Sequence, residues 1–260
     1  MMYEVAIPSH QRPGTIADTT LPLLTRGGVD PDRITVWVSS DDQREQYEDS
    51  CSPFGVHVRS GGWGQGVKHA RNGIATAYPA GTRLLQIDDD VRRIVRAADS
   101  KTLVDVNDVH ALIDYGFDVA DQLDLSLWCL YPAANPYFMR PRVRVGLLYA
   151  EACVIGMTLR RDETEQVTVD DKEDFERSIL HYLRDGGVVR LDGYSFKSNF
   201  YTEPGGMQTY RTIDTIEAGA RTLTDRYPDL CSYRVSKSRG MPEVKFRRLP
   251  TSDHPIRLIH

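Results

Sequence analysis

At 260 residues the chain has room for one large α/β domain and does not require two. Its 40% hydrophobic and 27% charged content is that of an ordinary folded protein, and no apolar run reaches the roughly 20 residues that cross a bilayer. A net charge of −5 argues against a protein that coats nucleic acid by bulk electrostatics, and four scattered cysteines offer no zinc-ligand spacing.

The amino terminus runs directly into a strand, Tyr3 to Ile7, with no basic-then-apolar leader, so a cytoplasmic protein with reduced cysteines in its core is expected. Thr15 to Leu24 has helical spacing and stops at Gly27-Gly28. Arg33 to Val38 is β-branched and aromatic, hence a second strand. A polar surface helix over Asp41 to Asp49 and a short strand, Val56 to Val58, follow. Gly61 to Gly66 is a loop feeding a helix from Val67 to Ala77, and Arg83 to Ile87 is a strand running into Asp88-Asp89-Asp90. Strands alternating with helices imply a mostly parallel, Rossmann-like sheet flanked by helices. Ligands of such sheets bind at the carboxyl ends of the strands, where Pro8-Ser9-His10, Ser39-Ser40-Asp41 and the acidic triplet converge.

The second half reads as mixed. Asp105 to Leu123 is expected to be helical, and Val143 to Leu159 to form one or two antiparallel strands with Glu151-Ala152-Cys153 near a turn. Asp174 to Leu183 has the periodicity of an amphipathic helix, and Val188 to Leu191 that of a strand. One domain over 1–260 is expected, elaborated at its carboxyl end.

The triplet carries the strongest chemical signal. Along extended backbone Asp88 and Asp90 point one way and Asp89 the other, so two carboxylates can share a hard divalent ion at a strand end. Mn²⁺ or Mg²⁺ there can bridge a nucleotide diphosphate and neutralise the leaving group. Acid runs are commonly solvated loops or helix caps; the apolar strand before this one favours the site. A second acidic run, Asp170 to Glu176, opens the amphipathic helix, where caps are also expected. Trp63 in its glycine loop can stack on a sugar or base, whereas Trp37 and Trp128 read as core.

Gly66-Val67-Lys68-His69-Ala70-Arg71-Asn72-Gly73-Ile74, then Leu85-Gln86-Ile87-Asp88-Asp89-Asp90, together with Ile7-Pro8-Ser9-His10-Gln11-Arg12, resembles the nucleotide-sugar-binding half of GT-A glycosyltransferases. More narrowly it is similar to phage glycosyltransferases found alongside TET/JBP-type pyrimidine hydroxylases, which decorate hydroxymethylated bases in DNA. The resemblance covers Tyr3 to Val95 best and Asp170 to Arg211 less closely.

It implies a donor-binding half over 1–100 and an acceptor-binding half over 101–260, with a UDP-sugar as donor. Pro8, Ser9 and Arg12 would line the nucleoside pocket, with Asp41 at the base or ribose. Arg71 and Asn72 would support the sugar or pyrophosphate; the guanidinium of Arg71 also suits phosphate on physical grounds. Asp88, Asp89 and Asp90 would hold the sugar diphosphate and metal, Asp88 reaching ribose or sugar and Asp90 ligating the ion, with Asn199 and His254 as candidate further ligands. Asp174 would be the base that deprotonates an acceptor hydroxyl, with Glu173 as its substitute. A loop over 203–211 would close on the donor, with Lys197 and Arg211 neutralising diphosphate.

The acceptor implied is hydroxymethylpyrimidine in double-stranded DNA, in the host cytoplasm if the gene is carried by a phage. From Arg221 to His260 nine basic residues face four acidic ones, an excess that can grip a polyanion or be ordinary surface charge. A protein or glycan acceptor is also compatible with the residues. A nucleotidyltransferase would need a glycine-rich basic first loop, which Pro8 to Gly14 supplies poorly. A metal-dependent nuclease would want a lysine beside the triplet, and none follows Asp90.

Overall fold

The computed structural model describes residues 2–64, 66–198, 211–237 and 240–259. Four parallel strands build the amino-terminal sheet in the spatial order β3 (His57–Ser60), β2 (Ile34–Val38), β1 (Glu4–Pro8), β4 (Arg83–Ile87). The ladder then turns antiparallel through β9 (Val154–Thr158) and β7 (Leu127–Tyr131). Beyond them β10 (Val188–Ser198) lies parallel to β7, with β8 (Arg142–Gly146) and β13 (Ser252–Pro255) antiparallel at the edge. The distal half of β10 also carries β5 (Val91–Ala97), which pairs with β6 (Leu103–Asp105). Parallel pairing is thus concentrated in the amino-terminal half, and the mixed half is joined to it inside one eleven-stranded sheet.

Alternate residues of the central strands feed two cores. Val5, Ile7, Val36, Val38, Leu85, Ile87, Trp128 and Leu130 face α1 (Pro13–Asp18), α2 (Thr20–Arg26), α3 (Asp41–Cys51) and α5 (Val109–Gln122). Ala6, Trp37, Leu84, Leu127, Cys129, Ile155 and Met157 face the other way, with Ile74 and Ala75 of α4 (Val67–Ala77). Burial on both faces explains why these strands read as near-continuous apolar runs. A third core joins α6 (Glu173–Asp185) and α7 (Ile213–Arg226) to the hairpin of β11 (Cys231–Val235) and β12 (Pro242–Phe246). All four cysteines are buried free thiols. No helix among the described residues is long and apolar enough to cross a membrane.

Helix α4 and strand β4 have the expected bounds. The helix expected over Thr15 to Leu24 is broken in two at Thr19, whose backbone leaves the helical region at φ −125°, ψ −82°. The break lets two hydroxyls reach the acidic triplet: Thr19 Oγ1 lies 2.7 Å from the Asp89 carbonyl, and Thr20 Oγ1 donates to the Asp88 carbonyl at 2.8 Å. The amide of Val91 donates back to Thr20 Oγ1 at 3.0 Å, closing the clamp. Helix α5 starts at Val109 rather than Asp105, because Leu103–Asp105 is taken as a strand and Asp108 accepts from the Ala111 amide as N-cap. Val143 to Leu159 yields two strands, both antiparallel to neighbours but not to each other: β8 pairs with β10 and β13, β9 with β4 and β7.

Trp128 is the largest fully buried side chain and is wedged between two glycines. A Cβ on Gly116 would sit 2.5 Å from Trp128 Cε2, and one on Gly156 would overlap the indole outright. Phe117 packs edge-on at 5.5 Å, so the ring cannot retreat. Gly156→Ala is expected to lower stability by about 1–3 kcal/mol through overpacking, read from the denaturant midpoint. An unchanged midpoint would mean that the sheet shifts freely at this strand.

Candidate functional site

A cavity of about 1280 Å³ opens over the carboxyl ends of β1, β2 and β4 and is walled on its far side by α6, α7 and β12. Pro8, Ser9, Arg12, Arg71, Asp88, Asp90, Glu173, Asp174 and Arg211 of the expected set line it. Asp41, Asn72, Asp89, Lys197 and His254 do not.

The alternation within the triplet is realised. Asp88 and Asp90 face the cavity, while Asp89 is buried beneath it, accepting from Ser9 Oγ at 2.5 Å and Arg12 Nη1 at 3.3 Å. Burial raises the Asp89 carboxyl to about 7, against the pull of Ser9 and Arg12. Asp89 therefore anchors the first loop to the triplet rather than meeting a ligand. Tyr47 of α3 completes this anchor, 2.7 Å from Ser9 Oγ and accepting from the Arg12 amide at 2.7 Å. Asp90 Oδ1 accepts from Ser198 at 2.6 Å, and its Oδ2 lies 3.9 Å from Arg12. Burial, and then the charge of Asp88, raises the Asp90 pKa.

Arg71 is almost wholly buried and is used by protein groups. Its Nη2 donates to Asp88 Oδ1 at 2.6 Å and to the Ala152 carbonyl at 3.0 Å, Nη1 to Gln86 at 3.2 Å, and Nε lies 3.6 Å from Glu173. It braces Asp88 instead of presenting an open fork to phosphate. Asn72 points away: its amide donates to the Val167 carbonyl at 2.8 Å and its oxygen accepts from the Val167 amide at 2.9 Å. Both halves of the side chain are occupied by that backbone clamp. Asp41 is exposed and accepts from Ser60 at 2.6 Å, leaving Trp37 and Ser39 to form that wall. Lys197 is exposed on β10 opposite Arg93. His254 pairs with Val143 on the edge strand β13, away from the cavity. Asn199 and nearly all of the expected closing loop lie outside the described residues.

The second acidic run sorts into roles. Asp170 accepts from the Lys68 amide at 3.2 Å at the start of α4, and Asp171 pairs with Arg211 at 2.6 Å. Glu173 backs Arg71, and Glu176 accepts from the Val169 amide at 3.1 Å and from Arg226 at 2.8 Å. Asp174 alone faces the cavity without a cationic partner within ion-pair distance, accepting from Tyr149 Oη and from the Phe175 amide at 2.9 Å. Burial raises its pKa, and the Tyr149 hydrogen bond opposes that shift.

Glu151 and Tyr149 are among the cavity residues that the sequence reading did not single out. Glu151 lies just before β9, and the antiparallel β4–β9 register carries it to the triplet; the Asp88 amide donates to the Cys153 carbonyl at 3.0 Å. Burial pushes Glu151 to about 8, with Asp174 and then Asp88 adding to it. Tyr149 packs tilted at 32° against Phe175, ring centroids 4.4 Å apart, and holds Asp174. The one visible signal is an isolated Tyr and an isolated Glu ahead of an apolar strand. Trp63 tilts at 34° against Trp37, 5.6 Å away, with both rings on the cavity wall, so Trp37 belongs to core and site together.

No protein-family model matches the chain. No curated protein matches it either. Among solved structures, TarS 1–349 from S. aureus superposes with a TM-score of 0.52 at 16% identity, covering 75% of this chain and 59% of that one. Longer S. aureus TarS gives 0.54 at 13% identity, over 86% of this chain and 40% of that one. The glucosyl-3-phosphoglycerate synthase from Mycobacterium tuberculosis, bound to Mn²⁺, UDP and glucosyl-3-phosphoglycerate, gives 0.52 at 14% identity over 98% and 90% of the two chains. The fold is GT-A. The chain spans less than two thirds of the TarS structures but nearly the whole of the synthase. In the GT-A frame the acidic triplet ends the fourth strand of the parallel set, and the mixed half supplies the opposite wall.

Hard-cation chemistry fits the donors present. Among the described residues no three His, Cys, Asp or Glu side chains gather as a metal site, so the protein offers the pair Asp88 and Asp90. A small divalent ion held by one or two carboxylates takes its remaining oxygens from water and phosphate.

Proposed function

We propose that the chain is a metal-dependent glycosyltransferase moving a sugar from a UDP-sugar to a hydroxyl acceptor. The observation that carries this reading is the convergence on one cavity of the Asp88–Asp90 pair and the Asp174 carboxylate. The Mycobacterium tuberculosis synthase crystallised with Mn²⁺ and UDP-Glc supports the donor class.

In this reading residues 1–100 bind the donor and 101–260 the acceptor, within one domain. Asp88 and Asp90 would hold Mn²⁺ or Mg²⁺, which neutralises the diphosphate as it leaves. Pro8, Ser9, Trp37, Ser39 and Trp63 bound the nucleoside end, and Arg12, fixed by Asp89, keeps that loop on the triplet. Asp174 accepts the acceptor's proton while Tyr149 fixes its carboxylate, and the Glu173–Asp174 acid pair at the start of α6 favours inversion. Phe175, Ile213, Met241 and Pro242 give the acceptor side an apolar lip that helps exclude water. Glu173, backing Arg71, is not in the base's position.

Hydroxymethylpyrimidine in double-stranded DNA is the acceptor to be tried first, on the strength of the sequence resemblance. The basic carboxyl-terminal stretch adds less than its count suggests. Arg221 pairs with Glu217 at 2.7 Å, Arg226 with Glu176 at 2.8 Å and Arg234 with Glu243 at 2.6 Å.

The test is UDP release from UDP-sugars with Mn²⁺, alone and with hydroxymethylated or unmodified duplex. Release in any arm supports the transferase, and stimulation by the modified duplex alone supports the DNA acceptor. No release from any UDP-sugar, with UDP failing to bind, would sink the reading.

A further inference from the structure

Arg177 sits on α6 one turn beyond Glu173, with no exposed surface. Its Nη1 reaches only the Met157 sulfur, at 3.4 Å, and its Nε and Nη2 have no hydrogen-bond partner among the described residues. No carboxylate among them lies within ion-pair distance of it. A guanidinium removed from water without a paired acid is costly, so its charge must act at longer range. Glu173 is the charged group that most opposes the effect of burial on Arg177. One Glu173 oxygen lies 3.6 Å from Arg71 Nε and the other has no hydrogen-bond partner, so Glu173 is held directly by Arg71 and reached by Arg177, four residues on along α6, through charge alone. Arg71 in turn holds Asp88 at 2.6 Å. Charges therefore alternate along a buried line from the core to the cavity floor: Arg177, Glu173, Arg71, Asp88.

We infer that Arg177 is a positioning residue for the donor site: it keeps Glu173 a carboxylate against Arg71, so that Arg71 keeps Asp88 aimed into the cavity. The inference rests on the proposed UDP–metal site but concerns a side chain that touches no substrate. Burial already raises Glu173 to about 7, against the pull of Arg71 and Arg177 and with Asp174 and Asp88 adding to the rise, so without Arg177 it protonates more readily. Arg71 then loses the backing that fixes its orientation. Nothing in the sequence pattern marks Arg177, because the position falls within an ordinary amphipathic helix.

The experiment is a double-mutant cycle read by calorimetric titration of UDP in saturating Mn²⁺. Arg177→Met, which extends the apolar contact with Met157, should weaken UDP binding about tenfold while the chain still unfolds cooperatively. Arg177→Lys, which retains the charge, should recover binding to within about twofold. In a Glu173→Gln background, Arg177→Met should add less than about a twofold change, since the charge it supports is already gone. Additive losses, or a lysine variant as weak as the methionine one, would overturn the inference. So would a methionine variant that fails to fold, because Arg177 would then be a structural pin. If wild type itself does not bind UDP with Mn²⁺, the proposed function fails first; if wild type binds and the cycle is flat, only the role of Arg177 fails.

Discussion

Asp90→Ala is expected to remove Mn²⁺-supported UDP binding, weakening it by at least about a hundredfold, or about 2.7 kcal/mol. Asp90 is held by Ser198 at 2.6 Å and faces the same cavity as Asp88. With no group of three His, Cys, Asp or Glu side chains arranged to hold a metal among the described residues, losing one carboxylate halves the protein's ligand set. The ion's other oxygens must then come from the nucleotide and water, so metal and UDP should bind cooperatively and each alone only weakly. Fold stability should hold or rise, because the Asp88–Asp90 repulsion that helps raise the Asp90 pKa disappears. Calorimetric titration of UDP with and without Mn²⁺, alongside a thermal melt, separates these effects. Tight UDP binding that ignores both metal and mutation would remove the triplet from the site.

Asp174→Asn should leave UDP–Mn²⁺ affinity nearly intact and cut kcat by about a thousandfold, within the range for loss of a general base. The amide preserves an acceptor for Tyr149, so packing against Phe175 is retained. Burial raises the Asp174 pKa, and the base acts only when deprotonated, so the wild-type rate should rise with pH through that titration. Glu173→Gln should fail differently, weakening donor binding through Arg71. The competing outcome is specific: if Asp174→Asn turns over normally and Glu151→Gln does not, the base is Glu151, a second buried carboxylate lining the cavity.

The amino-terminal half was legible because its elements are local. Strand β4 and helix α4 declare themselves by apolar periodicity, and the Asp88-Asp89-Asp90 alternation follows from the pleat. Asn72 and Asp41 illustrate the limit of motif transfer: both sit in the right segment, yet one side chain is closed on Val167 and the other faces solvent. Glu151, Tyr149 and Tyr47 were invisible for the opposite reason. Each reaches the cavity or its anchors through non-local pairing, the first two through the β4–β9 ladder and Tyr47 through the first loop, and none belongs to a run of similar residues. The break at Thr19 was likewise hidden, since its cause is a carbonyl seventy positions away in sequence.

The β4–β9 ladder has a mechanical consequence. Five residue pairs, from Arg83↔Thr158 to Ile87↔Val154, join the two halves of the chain, and the bond from Asp88 to Cys153 extends that seam to the cavity floor. A seam of this kind allows no hinge, so the halves cannot swing apart as rigid bodies to admit a donor or release UDP. Traffic has to pass through the mouth of the cavity, whose lining includes Trp63 and Gly64 on one side and Met241 and Pro242 on another. The radius of gyration should therefore be the same with and without UDP–Mn²⁺.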